Sequence, residues 1–182
     1  MKIEETFIKD VYIVEPTVFE DERGCFFESY NKLKFEQFDL NYDFVQDNQS
    51  FSRKGTLRGL HYQNPPYAQT KLIRVLEGEI MDVVVDLRKN SKTFMKSFNI
   101  VLSSSNKKQL LIPKGFAHGF SVISETASVI YKCDQYYNKA SEGGIKYNDP
   151  SLNIDWGMSL NDAIVSEKDQ ILPFIENCNS LF

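Results

Sequence analysis

A chain of 182 residues is long enough to bury one sizeable core and lies within the usual size of one domain. A formal net charge of −4, with 25% charged and 42% hydrophobic residues, argues against nucleic acid as a partner, because phosphate binding needs a clear basic excess. The charged start MKIEETFIKD is not a signal peptide, and no stretch approaches the roughly 18 apolar residues of a membrane span, so a soluble cytoplasmic protein is expected.

From Phe7 to Tyr30 the chain alternates weakly, with Val11, Ile13, Val18, Phe26 and Phe27 at apolar positions and Glu20–Gly24 as a polar turn. Asn31–Phe38 has the pattern of a short helix: Asn31 is a good N-cap, and Leu33, Phe35 and Phe38 partly share a face. Phe44–Phe51 returns to extended character.

Gly55–Gln63, GTLRGLHYQ, reads as a buried strand carrying a guanidinium (Arg58) and an imidazole (His61). Regular alternation sends these two to opposite faces. Gly59 lies between them, and glycine is where a strand most readily bulges and re-aims its neighbours. A bulge there turns both polar heads toward one cavity; without one, His61 is a core histidine with satisfied hydrogen bonds.

Beyond this point the β signal is dense. Thr70–Leu76 and Glu79–Leu87 are apolar, β-branched runs joined at Glu77-Gly78 in the manner of a hairpin. Phe98–Leu102 and Gln109–Ile112 flank the turn Ser103–Lys107, and Gly119–Ile123 and Ala127–Lys132 pair around Ser124-Glu125-Thr126. Short strands with little helical periodicity indicate a closed or nearly closed antiparallel barrel, whose inward side chains make a natural ligand pocket. In the tail, Leu152, Ile154 and Trp156 alternate as in a short strand, and Ser166-Glu167-Lys168-Asp169 has the spacing of a helix-capping box. No linker or repeat divides the chain, so residues 1–182 form one domain in the simplest account.

Several polar side chains sit badly as solvated surface. Lys71 opens the apolar strand Leu72, Ile73, Val75, although alone it reads as a lysine snorkelling from a strand end. His118 lies in the Gly-bounded loop IPKGFAHGF, and Tyr131 ends the run Ala127–Lys132, where a phenol sits at a barrel mouth or merely packs. Asp169, by motif alone, caps a helix.

Small barrels often hold a metal through three histidines and a carboxylate. This chain has two histidines and no HxH pair, so such a site cannot be built. Its three cysteines, Cys25, Cys133 and Cys178, lack CxxC spacing and give neither a zinc site nor a disulfide framework. No GxGxxG or Gly-rich phosphate loop is present, consistent with redox-neutral chemistry and no cofactor.

These residues fall into a recognisable order: DERGCFFE (Asp21–Glu28), QDNQS (Gln46–Ser50), RGLHYQ (Arg58–Gln63), AQTKLIRVLEGEIMDVVVDLR (Ala68–Arg88), IPKGFAHGF (Ile112–Phe120), VIYK (Val129–Lys132) and SEKD (Ser166–Asp169). In them the chain resembles the dTDP-4-dehydrorhamnose 3,5-epimerases, metal-free, mainly β, cupin-like jelly-roll barrels that act on nucleotide-linked 4-keto sugars. The resemblance implies that His61 is the general base, Asp169 its orienting carboxylate, Tyr131 the acid on the opposite face of the sugar, and Lys71 the cation beside the C4 oxygen. It places Arg23, Glu28, Gln46, Asn48, Arg58, His118, Glu142 and Lys168 against the sugar, diphosphate or nucleotide. Phe26 and Tyr137 are implied as the aromatics that pack on the base, and a homodimer is implied, with an N-terminal strand pairing across its interface.

The chemistry suits those residue types. A ketone at C4 acidifies C3 and C5, and inversion needs a base on one face and an acid on the other. After Tyr137 the segment NKASEGGIKYNDP departs from relatives that carry a proline soon after the tyrosine. That leaves open a GDP-linked 4-keto-heptose as substrate, and inversion at only one of the two carbons. A non-catalytic sugar-binding barrel is the alternative from another class, though a binding module needs no acid–base pair.

Overall fold

The computed structural model describes residues 1–182, of which most of the regular structure is strand. In chain order it runs β1 (Lys2–Glu5), β2 (Tyr12–Glu15), β3 (Val18–Asp21), β4 (Gly24–Phe27), α1 (Lys32–Glu36), β5 (Gln46–Arg53), β6 (Thr56–Gln63) and β7 (Lys71–Glu77). It continues with β8 (Glu79–Asp86), β9 (Ser97–Ser103), β10 (Gln109–Ile112), β11 (Phe116–Val122), β12 (Thr126–Cys133), β13 (Glu142–Gly144), β14 (Ile164–Val165) and α2 (Glu167–Gln170).

One sheet has the order β1-β2-β10-β7-β12-β5, and the other β13-β6-β11-β8-β9 with β14 beside β6. All pairings are antiparallel except β14 with β6. The hairpin β3–β4 pairs with itself alone and stands off both sheets.

The main core fills the space between the sheets: Ile73, Val75, Leu110 and Val129 from one, Ile80, Val84, Phe120 and Val122 from the other. The outer face of the second sheet is also covered. Leu57, Leu60, Val83 and Val85 pack there on Ile145, Leu152, Trp156 and Ile175 from the C-terminal third. Burial on both faces explains why β8 reads as a continuous apolar run instead of an alternating one. On the first sheet, α1 contributes Phe35 to a smaller cluster with Leu72 and Leu111. The helix starts where the N-cap predicted, with Asn31 Oδ1 accepting from Lys34 N at 3.2 Å.

Four local expectations are corrected. The junctions β7–β8, β9–β10 and β11–β12 are not hairpins; each carries the chain from one sheet to the other. A sheet-to-sheet corner and a hairpin draw on the same turn residues, so the local sequence does not separate them. At the β7–β8 corner Gly78 has φ +78°, and a Cβ there would lie 1.9 Å from Thr126 O. Leu152–Trp156 forms no strand; the alternation comes from side chains that anchor an irregular segment. Trp156 Nε1 donates to Tyr147 O at 2.9 Å, and Ser121 Oγ donates to Trp156 O at 2.5 Å. No helix is long and apolar enough to cross a membrane.

Candidate active site

The bulge expected at Gly59 is present. Opposite β6, strand β11 pairs His118 with His61 and Phe120 with Arg58, so β6 fits one extra residue into the same span. Gly59 has φ +120°, and a Cβ on it would come within 2.5 Å of Gly119 Cα. The extra residue breaks the alternation, and Arg58 and His61 both line one cavity of about 530 Å³.

His61 is held by Asp169, with Nε2 2.7 Å from Oδ1. The other carboxylate oxygen accepts Gly59 N at 3.2 Å, so the bulge and the dyad fix each other. Asp169 is 3% exposed. Burial pushes its carboxyl up, but the His61 hydrogen bond and charge, the Gly59 amide and the Lys168 charge outweigh this and hold it below the usual range. An ionised Asp169 accepts the proton on Nε2, which assigns the lone pair to Nδ1. The reading of Asp169 as a helix cap is corrected: Ser166 is the N-cap of α2, its Oγ accepting from Asp169 N at 3.2 Å. One short turn of helix thus presents the acid to the histidine.

Tyr131 and Lys71 come from the opposite sheet, on the adjacent strands β12 and β7, and line the same cavity. Lys71 Nζ lies 5.8 Å from the centre of the Tyr131 ring. Burial pushes the Tyr131 phenol up, with Cys133 adding to this and Arg58 opposing it, so the group is a neutral phenol at rest. Burial pushes Lys71 down, opposed by Cys133, Asp82 and Glu142.

Arg58, His118 and Lys168 complete the predicted residues that line the cavity. Arg58 Nε donates to Ser52 Oγ at 3.1 Å, which aims the guanidinium. At the rim, Glu142 accepts Lys168 Nζ at 2.5 Å and Tyr137 Oη at 3.1 Å. Gln46 accepts Tyr137 N at 3.0 Å and donates to Asn48 Oδ1 at 3.1 Å, while Asn48 sits opposite Tyr131 in register. These five form one connected border of which Lys168 alone reaches the cavity wall.

Arg23, Phe26 and Glu28 do not line the cavity of their own chain. Arg23, with its side chain 89% exposed, folds back on Asp21, and Phe26 stands exposed on the β3–β4 hairpin. Glu28 accepts from Asn31 Nδ2 at 3.0 Å and pairs with Lys34 at 2.7 Å.

Sequence reasoning passed over Asp82, a buried carboxylate whose Oδ2 lies 2.9 Å from His118 Nε2. Its signal was a charge at core-facing parity between Ile80 and Val84, masked by the apolar run around it.

A family model described as dTDP-4-dehydrorhamnose 3,5-epimerase matches residues 5–177. A crystal structure of a dTDP-4-dehydrorhamnose 3,5-epimerase from Elizabethkingia anophelis superposes with a TM-score of 0.94 at 56% identity, covering 97% of each chain. A dTDP-4-dehydrorhamnose 3,5-epimerase of Shigella flexneri is 51% identical over 170 residues, 93% of each chain. A dTDP-6-deoxy-D-glucose-3,5-epimerase from Legionella pneumophila, crystallised with dTDP-4-keto-L-rhamnose, is 45% identical with a TM-score of 0.92, over 97% of this chain and 93% of that one. The cupin-like fold and the order of motifs agree with these likenesses, and the chain belongs to the dTDP-4-dehydrorhamnose 3,5-epimerase family.

Proposed function

We propose that this chain inverts C3 and C5 of a nucleotide-diphosphate-linked 4-keto-6-deoxy sugar, with dTDP as the nucleotide, through an enolate. The observation that carries this reading is the confrontation of two proton-transfer groups across one cavity. His61 with Asp169 stands on one wall, and Tyr131 with Lys71 on the other. A cavity of about 530 Å³ falls within the roughly 300–1,000 Å³ of small-molecule sites.

In the proposed step His61 Nδ1 takes the proton from the carbon beside the ketone. The C–H electron pair moves to the C4 oxygen, and Lys71 stabilises the enolate charge. Tyr131 then returns a proton to the same carbon from the opposite face, as the pair of electrons moves back. Solvent exchange restores the phenol and the neutral imidazole, and no atom of the substrate is lost. The second carbon undergoes the same cycle. Arg58 suits the diphosphate, since a planar guanidinium engages phosphate oxygens bidentately, and Lys168 adds a point charge beside it.

Arg23, Phe26 and Glu28 are placed by the same reading against a substrate, yet lie off their own cavity. A homodimer in which the β3–β4 hairpin serves the partner's site accounts for both facts. The cytoplasm, where nucleotide sugars are made, is the proposed location.

The test is incubation with a dTDP-linked 4-keto-6-deoxy sugar in deuterated water, read by NMR. Deuterium at both C3 and C5 is expected. Label at one carbon makes the chain a single-centre epimerase, turnover only with a GDP-linked 4-keto-heptose changes the substrate, and binding without label leaves a sugar-binding barrel.

A further inference from the structure

Gln63 closes β6 with a buried side chain whose hydrogen bonds all go to main chain. Its Nε2 donates to Tyr67 O at 2.7 Å and to Tyr136 O at 3.2 Å, and its Oε1 accepts Asn138 N at 2.6 Å. Both donors and the acceptor oxygen of the amide are therefore used. Two of the three bonds fall on the residues immediately before and after Tyr137.

That tyrosine lies on the loop that follows β12, and glutamine side chains take the place of a partner strand there. The N–H groups of Tyr136, Tyr137 and Asn138 donate to Gln135 Oε1 at 2.9 Å, Gln46 Oε1 at 3.0 Å and Gln63 Oε1 at 2.6 Å. The Tyr137 ring is 56% exposed and belongs to none of the core clusters, so packing does not fix it. Its main chain is held on either side by Gln63, and its hydroxyl by Glu142 at 3.1 Å. Gln63 and Glu142 are partners in register between β6 and β13, so one rung of the sheet holds both ends of the tyrosine. Alternation along β6 puts Gln63 on the same face as His61, and Glu142 leads through Lys168 to the cavity wall.

We propose that Gln63 is a positioning residue for the nucleotide: by clamping the main chain before and after Tyr137, it presents that ring as a preformed platform at the border of the cavity. The proposal rests on the reading of Tyr137 as an aromatic that packs on the base. Gln63 itself touches no substrate and acts through Tyr137. An exposed ring on an untethered loop samples many positions and loses that freedom on binding, whereas a clamped ring has lost it already. The strand that carries the base for proton transfer thus also sets the grip on the nucleotide.

Gln63→Ala removes the clamp and leaves the dyad. Calorimetric titration with dTDP is expected to show binding about tenfold weaker, within the range that base–aromatic stacking contributes. KM for a dTDP-linked 4-keto-6-deoxy sugar should rise by a similar factor, while kcat and its pH profile stay near the parent's. Tyr137→Ala should weaken dTDP binding as much, and Gln63→Ala added to it should cost nothing more, since a clamp has no effect once the ring is gone. Gln63→Glu keeps the shape and the acceptor but loses both donors, and it repeats the titration if the alanine variant does not fold. Parent-like dTDP affinity in the Gln63 variants, or losses that simply add in the double variant, overturns the role of Gln63. Parent-like affinity in Tyr137→Ala overturns the reading of Tyr137 on which the proposal rests. Absence of deuterium exchange in the parent, with dTDP still bound, overturns the epimerase reading instead, and the dTDP titrations are independent of that result.

Discussion

At His61 three levels of structure meet: a bulged strand turns the ring into the cavity, a carboxylate on a short helix holds Nε2, and the cavity supplies the room for a substrate. Removing the ring removes the proposed base, so His61→Ala should lower deuterium exchange by roughly 10²–10⁴-fold, the usual contribution of a general base. Nucleotide binding, followed by calorimetry, should stay nearly unchanged. Exchange at the parent rate in that variant would falsify the base role. Tyr131→Phe tests the opposite face. There the base remains, so proton removal and wash-in at the original configuration should persist while formation of the inverted sugar is lost. Equal loss of both would move Tyr131 from acid to mere packing.

At the scale of elements, the bulge in β6 depends on one residue without a side chain. Gly59→Ala must place a methyl 2.5 Å from Gly119 Cα while holding φ at +120°. Backbone strain alone is worth about 1–3 kcal/mol, and the clash with the main chain of β11 adds to it. A loss of about 3 kcal/mol is expected, seen by calorimetry as a melting point lower by roughly 6–12 °C. A variant that melts with the parent would show that β6 relaxes without the bulge. The end of β8 depends on a different device. Asp86, 0% exposed, accepts from Arg88 Nε and Nη2 at 2.9 Å each, Ser91 Oγ at 2.6 Å and Thr93 Oγ1 at 2.7 Å. Arg88 also reaches Asp10 Oδ2 at 2.7 Å, tying the N-terminal segment to β8. Arg88→Ala strips the cation from this buried acid and should cost about 3–5 kcal/mol, measured by urea unfolding.

For the whole molecule, acid stability follows from carboxylates held below their usual range. Burial pushes Asp86 up, but its bonds to Arg88, Ser91 and Thr93 prevail; in Asp149, the Ile175 amide and Ser151 prevail over burial in the same way, as His61 does in Asp169. A depressed folded value contributes stability that is present above the unfolded value, near 4, and is lost as pH falls through the lower folded one. Unfolding midpoints should therefore hold from pH 7 to about pH 5 and decline below about pH 4; a midpoint already falling near pH 6 would contradict this assignment. The proposed dimer has its own test. If the β3–β4 hairpin serves the partner, Arg23→Ala and His61→Ala homodimers should both be impaired, while a mixture of the two regains activity in hybrids that keep one intact site. A mixture no more active than its components would confine each site to its own chain.

The sequence by itself determined the β-rich class, the capped start of α1, the bulge at Gly59 and the set of side chains fit for proton transfer. These are properties of local pattern and residue chemistry: glycine at the crowded point, asparagine at the cap, an imidazole and a phenol near cationic residues. Tertiary structure decided what local pattern does not encode. It made sheet-to-sheet corners of junctions that read as hairpins, and turned the capping-box acid Asp169 toward His61. It also buried Asp82 beside His118 and left Arg23 and Phe26 outside their own cavity. Each of those outcomes depends on which residues, distant along the chain, are brought within a few ångströms, and that distance is set by packing two sheets face to face.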